Sequence, residues 1–183
     1  MVGRLVNVGT LTGGGEEAAE VVAVEPFASN IEAVYRNDAA RLVGLAEWIV
    51  GSRAVAEELV HDAFAKVVER PPRLDDTEAL NGYIRSAVVN GCRSKVRRVV
   101  LERKHKRTES EIYEDPERPN EHIRLAVQAL PMRQRQVVVL RFYEDLTVDK
   151  IASTLNISSG SVKTHLHRAL KKLGDQLDER IEP

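Results

Sequence analysis

The apolar residues of this chain recur every three or four positions along most of its length, and this spacing constrains the fold more than any other feature. Side chains at positions i, i+3, i+4 and i+7 share one face of an α-helix, whereas a half-buried strand alternates apolar and polar residues. Sustained alternation is absent, and the aromatic residues that strands favour make up only 4% of the chain. The sequence therefore predicts an all-α fold.

Two breaks in the helical pattern divide the chain. Pro71-Pro72 ends a helix, because proline cannot continue the helical hydrogen bonds, and four helical segments are expected from residue 27 to about residue 100. The stretch RKHKRTESEIYEDPERPN, residues 103–120, is charged, contains two prolines and has almost no apolar periodicity, which is typical of a flexible linker. We therefore predict two small helical domains, at 26–102 and 121–178, joined by this charged linker and preceded by a mobile extension at 1–25.

The second predicted domain has the spacing of a helix-turn-helix. Thr147 and Ser158 are each placed to cap the N-terminus of a helix with a side-chain oxygen. Asn156 stands between them where the chain must turn, and asparagine tolerates the left-handed conformation better than most residues. Ile157 and Val162 flank the second cap as a hydrophobic staple, which sets the direction in which the chain enters the next helix.

The helix after this turn has two different faces. Its predicted inner face carries Val162, Leu166, Ala169, Leu170 and Leu173. At about 100° per residue, its outer face presents Gly160, Ser161, Thr164, His167, Arg168 and Lys171. Small residues at the N-terminal end allow a close approach to the major groove of DNA, where basic residues hold phosphates or guanine edges. The alternative is an ordinary helical hairpin with a solvated cationic face. Such a hairpin does not require that the caps, the staple and the turn residue all occur together at helix-turn-helix spacing.

A second basic surface is expected in the first domain. The chain has 27 Lys and Arg against 28 Asp and Glu, but these charges are segregated along the sequence. From Arg85 to Arg107 only Glu102 is acidic, and Arg93 and Arg97 lie away from the apolar stripe of their helix. A phosphate backbone responds to such a local patch rather than to the net charge of −1. Two basic surfaces on separate domains predict a protein that contacts DNA at two places.

The sequence predicts no catalytic site, no metal site and no cofactor. His165 and His167 are two residues apart, so on a helix they point to different faces and cannot hold one metal ion. The triple glycine at 13–15 lacks the following Lys-Ser/Thr and the flanking strand of a phosphate-binding loop. Cys92 lies near the packed side of a helix and is expected to fill space rather than to react.

The expected location is the cytoplasm. Cys92 is the only cysteine, so a disulfide framework is excluded and a reducing environment fits. No apolar run approaches the roughly 18 residues that cross a bilayer. Glycines and glutamates interrupt the N-terminus, which therefore lacks the continuous apolar core of a signal peptide.

Two long parts of the chain resemble one family. The segments AEELVHDAFAKVVE (56–69) and PRLDDTEALNGYIRSAVVNGCRSKVRR (72–98) resemble region two of an extracytoplasmic-function (ECF) sigma factor. The segment LPMRQRQVVVLRFYEDLTVDKIASTLNISSGSVKTHLHRALKKL (130–173) resembles region four. The resemblance covers about residues 27–177, in the family's order and with a suitable linker between the two parts.

This resemblance implies a transcription initiation factor that binds core RNA polymerase, directs it to promoters and aids DNA opening. The residues implied to face the clamp helices of the largest polymerase subunit are Glu58, His61, Asp62 and Lys66. Those implied to hold the minus-ten element are Arg73, Leu74, Asp75, Asp76, Asn90, Arg93 and Arg97. Those implied to contact the minus-thirty-five element are Ser159, Ser161, Lys163, Thr164, His167, Arg168 and Lys171.

The resemblance also implies the partners and marks where this sequence differs. The implied partners are core RNA polymerase, through its clamp helices and its flap, promoter DNA, and an anti-sigma protein of the kind that holds many family members. The sequence departs from the family at His165, where the reading helix is often basic, and at Val68, where an aromatic residue is frequent. Asn90 has an alternative role, which is to satisfy nearby backbone groups within the helical bundle.

The residues leave two other functions open. A self-sufficient helix-turn-helix transcriptional regulator would share the second domain, and its N-terminal half would sense a ligand or dimerise. A helical adaptor that titrates a protein partner would use the basic faces for solubility alone. The N-terminal half discriminates between these alternatives, because only a sensor needs a ligand pocket there.

Overall fold

Seven helices make up the part of the chain that the structure describes. The computed structural model describes residues 17–74, 76–105 and 120–178. The helices are α1 (Glu17–Val50), α2 (Arg53–Glu69), α3 (Thr77–His105), α4 (Glu121–Gln128), α5 (Met132–Phe142), α6 (Val148–Leu155) and α7 (Ser159–Asp178). Within the described ranges there is no strand, and the predicted all-α fold is confirmed. None of these helices is both long enough and apolar enough to cross a membrane.

α1 is one continuous helix where the sequence predicted a mobile extension and then two separate helices. It begins at Glu17, inside the predicted extension, and runs to Val50. The polar stretch at 36–41 contains neither glycine nor proline, so nothing in it ends the helix. The fully buried residues keep helical spacing on both sides of this stretch: Val34, Leu42, Leu45, Ala46 and Ile49. The part of the predicted extension at 1–16 lies outside the described residues.

α1, α2 and α3 form an N-terminal bundle. Gly51 follows the last residue of α1, and its φ of 85° lies in the left-handed region that favours glycine, so the chain reverses there. Ser52 then caps α2 by accepting a hydrogen bond from the Val55 amide at 3.4 Å. The buried apolar residues of α2 and α3 are Ala56, Val60, Ala63, Phe64, Val67, Leu80, Ile84, Val88, Val89 and Cys92. At Val89 the C-terminal bundle covers α3, because the Gln136 side chain of α5 donates a hydrogen bond to the Val89 carbonyl at 3.0 Å.

α4 to α7 form a C-terminal bundle in which α5 is the central helix. α5 buries five consecutive residues, Gln136 to Leu140, because it packs on both α1 and α7. Three apolar residues that keep the helical spacing are nevertheless exposed: Ile123, Phe142 (63%) and Leu170 (45%). Leu170 lies about 80° around α7 from Val162, at the edge of the inner face. Its predicted place in the core was wrong for that reason.

The two bundles pack directly against each other. α4 and α5 contact α1, and α6 contacts α3. Buried residues of both bundles belong to one continuous apolar cluster that extends from Val34 in α1 to Val162 in α7. α3 continues to His105 and so includes the first three residues of the predicted linker. The part of that linker at 106–119 lies outside the described residues.

Candidate nucleic-acid interface

The turn between α6 and α7 has the predicted geometry. Thr147 caps α6 by accepting a hydrogen bond from the Lys150 amide at 3.3 Å. Asn156 ends α6 in the left-handed conformation, with φ of 50° and ψ of 55°. Ser158 caps α7 by accepting from the Ser161 amide at 3.1 Å. These local predictions are confirmed, and the pair α6–α7 is a helix-turn-helix.

Hydroxyl groups at the start of α7 stabilise the turn. Ser159 donates a hydrogen bond to the Asp149 carboxylate at 2.7 Å, which ties the start of α7 to α6. The hydroxyls of Ser158 and Ser161 lie 2.9 Å apart, and Thr164 donates to the Gly160 carbonyl at 2.9 Å. Ser159 and Ser161 were predicted to contact DNA, and in this structure their side chains are half-buried and hold the helix end in place. Thr164 remains on the exposed face.

The outer face of α7 carries a row of exposed residues, most of them basic. Its exposed members are Lys163, Thr164, His167, Arg168 and Lys171, all of them predicted from the sequence. No acidic side chain of the described residues pairs with Arg168 or Lys171. His165 points the other way: it is half-buried, and its Nδ1 has no hydrogen-bond partner among the described residues. The departure at His165 therefore lies beside the exposed row and not in it.

α3 carries the second basic surface. Asn90, Arg93 and Arg97 are all exposed, and their spacing of three and four residues places them on one side of the helix. The positive field of this surface reaches the C-terminal bundle. Burial lowers the pKa of Arg133 in α5, and the positive charge of Arg93 lowers it further. Arg133 was not predicted as part of this surface, because only the packing of the two bundles brings it near Arg93.

The loop before α3 combines structural and exposed residues. The Asp76 carboxylate accepts a hydrogen bond from the Ala79 amide at 2.7 Å, so it caps α3. Leu74 is half-buried against the core, whereas Arg73 is exposed. Of the predicted minus-ten residues in this loop, Arg73 is the one whose side chain is free to reach a partner, and Asp75 lies outside the described residues.

The outer face of α2 carries the residues predicted to face polymerase. Glu58, His61, Asp62 and Lys66 are all exposed. The Glu58 carboxylate is not free, because Lys95 of α3 pairs with it at 3.0 Å. α2 contacts α1 and α3, and the described part of the C-terminal bundle leaves its outer face open.

A shallow apolar groove runs beside these polar residues. It is lined by Tyr35, His61, Phe64, Ala65, Val68 and Glu69. Tyr35 and Val68 are exposed, and the Tyr35 and Phe64 rings pack in a T-shaped arrangement with 5.0 Å between the ring centroids. Val68, where the family frequently has an aromatic residue, faces solvent, so this departure changes the exposed surface and not the core. Exposed apolar residues grouped in this way are typical of a protein-binding surface.

The described residues contain no group of three or more His, Cys, Asp or Glu side chains that could hold a metal ion. Cys92 is fully buried, and burial raises the pKa of its thiol to about 12, because a low-dielectric environment disfavours the thiolate. Its environment is that of a core residue.

Cys92 is therefore expected to be unreactive in the native chain. With a pKa of about 12, only about one thiol in 10⁴ is ionised at pH 8, and the thiolate is the reactive form. A chromogenic disulfide reagent added at pH 8 should label the native chain over hours and the denatured chain within minutes. Rapid labelling of the native chain would contradict the burial of Cys92.

Comparisons with known proteins agree with this architecture. Residues 34–100 match the family described as Sigma-70 region 2, and residues 121–173 match the family described as Sigma-70, region 4. An RNA polymerase sigma-E factor of Streptomyces coelicolor is 30% identical over 155 residues, which cover 79% of this chain and 83% of that protein. The ECF RNA polymerase sigma factor SigE of Mycolicibacterium smegmatis is 27% identical over 154 residues, covering 78% of this chain and 59% of that protein.

A solved structure shares the fold. The sigma factor RpoE of Bartonella quintana, determined in complex with the anti-sigma factor NepR, superposes with a TM-score of 0.67 and 16% sequence identity. The superposition covers 83% of this chain and 98% of that one. At this identity the likeness establishes the fold and nothing finer.

Proposed function

This chain belongs to the sigma-70 family, in its extracytoplasmic-function group, and we propose that its two bundles hold one promoter at two separate elements while α2 binds core RNA polymerase. As a sigma factor it acts in promoter recognition and transcription initiation. The observation that carries the proposal is the presence of two exposed basic surfaces, on α3 and on α7, in two different bundles. A chain that read DNA with one helix alone would not need a second basic surface.

We assign the minus-thirty-five element to α7. Lys163, Arg168 and Lys171 supply exposed positive charge along the helix, and His167 adds an exposed imidazole. Thr164 lies near the N-terminal end, where a recognition helix approaches base edges. Ser159 and Ser161 contribute by keeping that end in place through their hydrogen bonds within the turn. Phosphate contacts set the orientation of the helix, and base contacts set the sequence preference.

We assign the minus-ten element to the exposed face of α3 and to Arg73 in the loop before it. Arg93 and Arg97 lie one helical turn apart and can follow a phosphate backbone, and Asn90 can pair with the edge of a base. A base that leaves the DNA stack needs a protein pocket to hold it. Proteins that bind single-stranded nucleic acid form such pockets from loops and side chains. Asp76 positions α3 through its cap and acts on DNA only indirectly.

The polymerase contact is proposed for the outer face of α2 together with the neighbouring groove. His61 belongs to both, since it is exposed on α2 and lines the groove beside Tyr35 and Val68. Protein interfaces combine an apolar centre with a polar rim. The groove supplies such a centre, and Asp62 and Lys66 supply part of the rim.

We propose that the chain catalyses no reaction and that polymerase performs RNA synthesis, because the residues assigned above to DNA and to polymerase form binding surfaces. An anti-sigma protein is proposed as a further partner, since the Bartonella quintana sigma factor was determined in complex with one. The cytoplasm, where polymerase and promoter DNA are located, is the proposed compartment.

The test is promoter binding with and without polymerase. With core RNA polymerase and a promoter library, the chain should enrich two elements at fixed spacing and support initiation from them. Without polymerase it should show little specific binding to the same duplexes. Specific nanomolar binding by the purified chain alone would favour a self-sufficient regulator, which the family comparisons do not favour. Scrambled elements at the same salt concentration provide the control.

A further inference from the structure

Asp149 of α6 is an isolated acid in a basic part of the chain. It is the only acidic residue between positions 146 and 174, a stretch that contains the basic residues assigned to the minus-thirty-five element. Its side chain is exposed and lies in the first turn of α6. Asp149 was not predicted as a site residue, because its charge has the same sign as that of a phosphate.

A hydrogen bond holds this carboxylate beside the N-terminal end of α7. Ser159, the first residue of α7, donates its hydroxyl proton to Oδ1 of Asp149 at 2.7 Å. In a helix-turn-helix, the N-terminal residues of the second helix contact base edges while the first helix crosses the DNA backbone. The Asp149 carboxylate therefore lies at the end of the motif that approaches the bases.

The surface next to this carboxylate is open. Gly160 follows Ser159 in α7, and among the described residues a Cβ atom at Gly160 would meet only the hydroxyl oxygen of Ser158, at 3.9 Å. Packing within the described part of the chain therefore does not require glycine here, although glycine is among the least favourable residues for a helix. Close approach of an external partner explains such a glycine, and in the proposed function that partner is the major groove.

The Asp149 carboxylate can accept hydrogen bonds but cannot donate one. A carboxylate has about four acceptor positions, and the Ser159 hydroxyl occupies one of them. In the major groove, only the amino groups of cytosine and adenine donate hydrogen bonds, whereas guanine and thymine present acceptors. Adenine also presents the acceptor N7 next to its amino group, and this atom repels a carboxylate. Among the four bases, cytosine is therefore the one that Asp149 fits.

We propose that Asp149 is a specificity-determining residue of the minus-thirty-five site, that it selects cytosine through the amino group of the base, and that Ser159 positions its carboxylate. The inference rests on the proposed function, in which α7 lies in the major groove. Repulsion between Asp149 and the phosphates weakens binding to all sequences, and the contact with cytosine offsets this loss only at the matching sequence. The acid thus raises the ratio of specific to non-specific binding, which determines promoter choice.

A purely structural role for Asp149 leads to a different expectation. An acid in the first turn of a helix is stabilised by the helix dipole, and the hydrogen bond from Ser159 ties α6 to α7. Asp149→Asn separates the two roles, because the amide oxygen can still accept the Ser159 hydrogen bond while the amide nitrogen adds a donor. Asparagine pairs with both N6 and N7 of adenine. If Asp149 reads a base, Asp149→Asn should therefore change the selected base from cytosine to adenine.

The test is promoter selection by the full chain with core RNA polymerase and a library randomised across the minus-thirty-five element. The parent chain should enrich one C·G base pair, in one orientation, about tenfold over the alternatives at that position. Asp149→Asn should enrich an A·T pair in the same orientation there and leave the other positions unchanged. Identical enrichment by the two chains at every position would overturn the proposal. An equal loss at all positions, or a parent element without a C·G pair, would overturn it as well.

Asp145→Asn is the matched control for loss of charge. The Asp145 side chain is 94% exposed and pairs with Arg141 of α5 at 3.3 Å. Its φ of 49° suits asparagine. The library selected by Asp145→Asn should match that of the parent chain at every position. A change from C·G to A·T with this variant would show that charge alone alters selection, and it would contradict base reading by Asp149.

Ser159→Ala protects the test against loss of folding. It keeps the Asp149 carboxylate but removes the hydroxyl that orients it, and alanine favours the helix. Enrichment of the C·G pair should fall, and no A·T pair should replace it. If Asp149→Asn loses helical circular dichroism, Ser159→Ala decides, and unchanged enrichment there would contradict the proposal. A parent library with no enriched minus-thirty-five element would instead contradict the proposed function, so the two failures are distinguishable.

Discussion

Ile151→Ala is expected to lower the free energy of unfolding by about 2–5 kcal/mol and to abolish promoter recognition. Ile151 is fully buried in α6, which has only eight residues. A helix of this length is not stable by itself in water and depends on the packing of its apolar face. α6 also lies between α3 and α7, so losing its anchor weakens the helix-turn-helix and the contact between the bundles together. Urea unfolding followed by circular dichroism measures the first effect, and initiation with core polymerase measures the second.

Ser153→Ala is the matched control, because Ser153 lies on the exposed side of the same helix. Its hydroxyl donates only to the Lys150 carbonyl at 2.9 Å, and alanine favours the helix. We expect a change within about 0.5 kcal/mol and full promoter recognition. A loss below about 1 kcal/mol for Ile151→Ala would contradict its role as the anchor of α6.

The double substitution of Arg168→Ala and Lys171→Ala should weaken binding to every promoter by a similar factor. Each phosphate contact contributes about 0.9 to the slope of log K against log salt concentration. Removing two contacts should reduce the magnitude of that slope by about 1.8. If the variant and the parent bind equally at 1 M salt, the variant should bind on the order of 30-fold more weakly than the parent at 0.15 M salt. Fluorescence anisotropy of labelled promoter duplexes with saturating polymerase, repeated at several salt concentrations, measures both quantities.

The control removes two other exposed arginines, Arg36 and Arg53. Each forms an ion pair with a glutamate four residues away, so its field is largely neutralised. Neither lies on the basic face of α3 or α7. Their double substitution should leave the salt slope unchanged. A loss confined to one promoter sequence after the α7 substitutions would mean that these residues read bases rather than phosphates.

The sequence predicted the local features of the interface well. Thr147, Asn156 and Ser158 act within a few residues of their own position, because caps and left-handed turns depend on neighbouring backbone groups. The exposure of Arg168 and Lys171 follows from helical periodicity alone. For such features the determining contacts lie within one or two helical turns, so a single sequence contains all the information they need.

Contacts between helices distant in sequence were not predictable in this way. Val68 and Phe142 are apolar residue types that usually lie in a core, yet both are exposed, since no helix of the described residues covers them. Glu144 is a charged residue in the loop after α5, where exposure would be expected. Its side chain is fully buried because Arg41, 103 residues away, lies against it. A periodic pattern identifies an apolar face but does not state what covers it.

The sequence by itself determined the all-α class, the helix-turn-helix and the two basic surfaces, because these depend on local hydrogen bonds and on the period of a helix. Only the tertiary structure decided that the two bundles share one core, that Gly44 accommodates Tyr143 and that Glu144 bridges two arginines. Those features depend on which helix surfaces pack together in the folded chain. The free energy of that packing is distributed over residues that are remote in sequence.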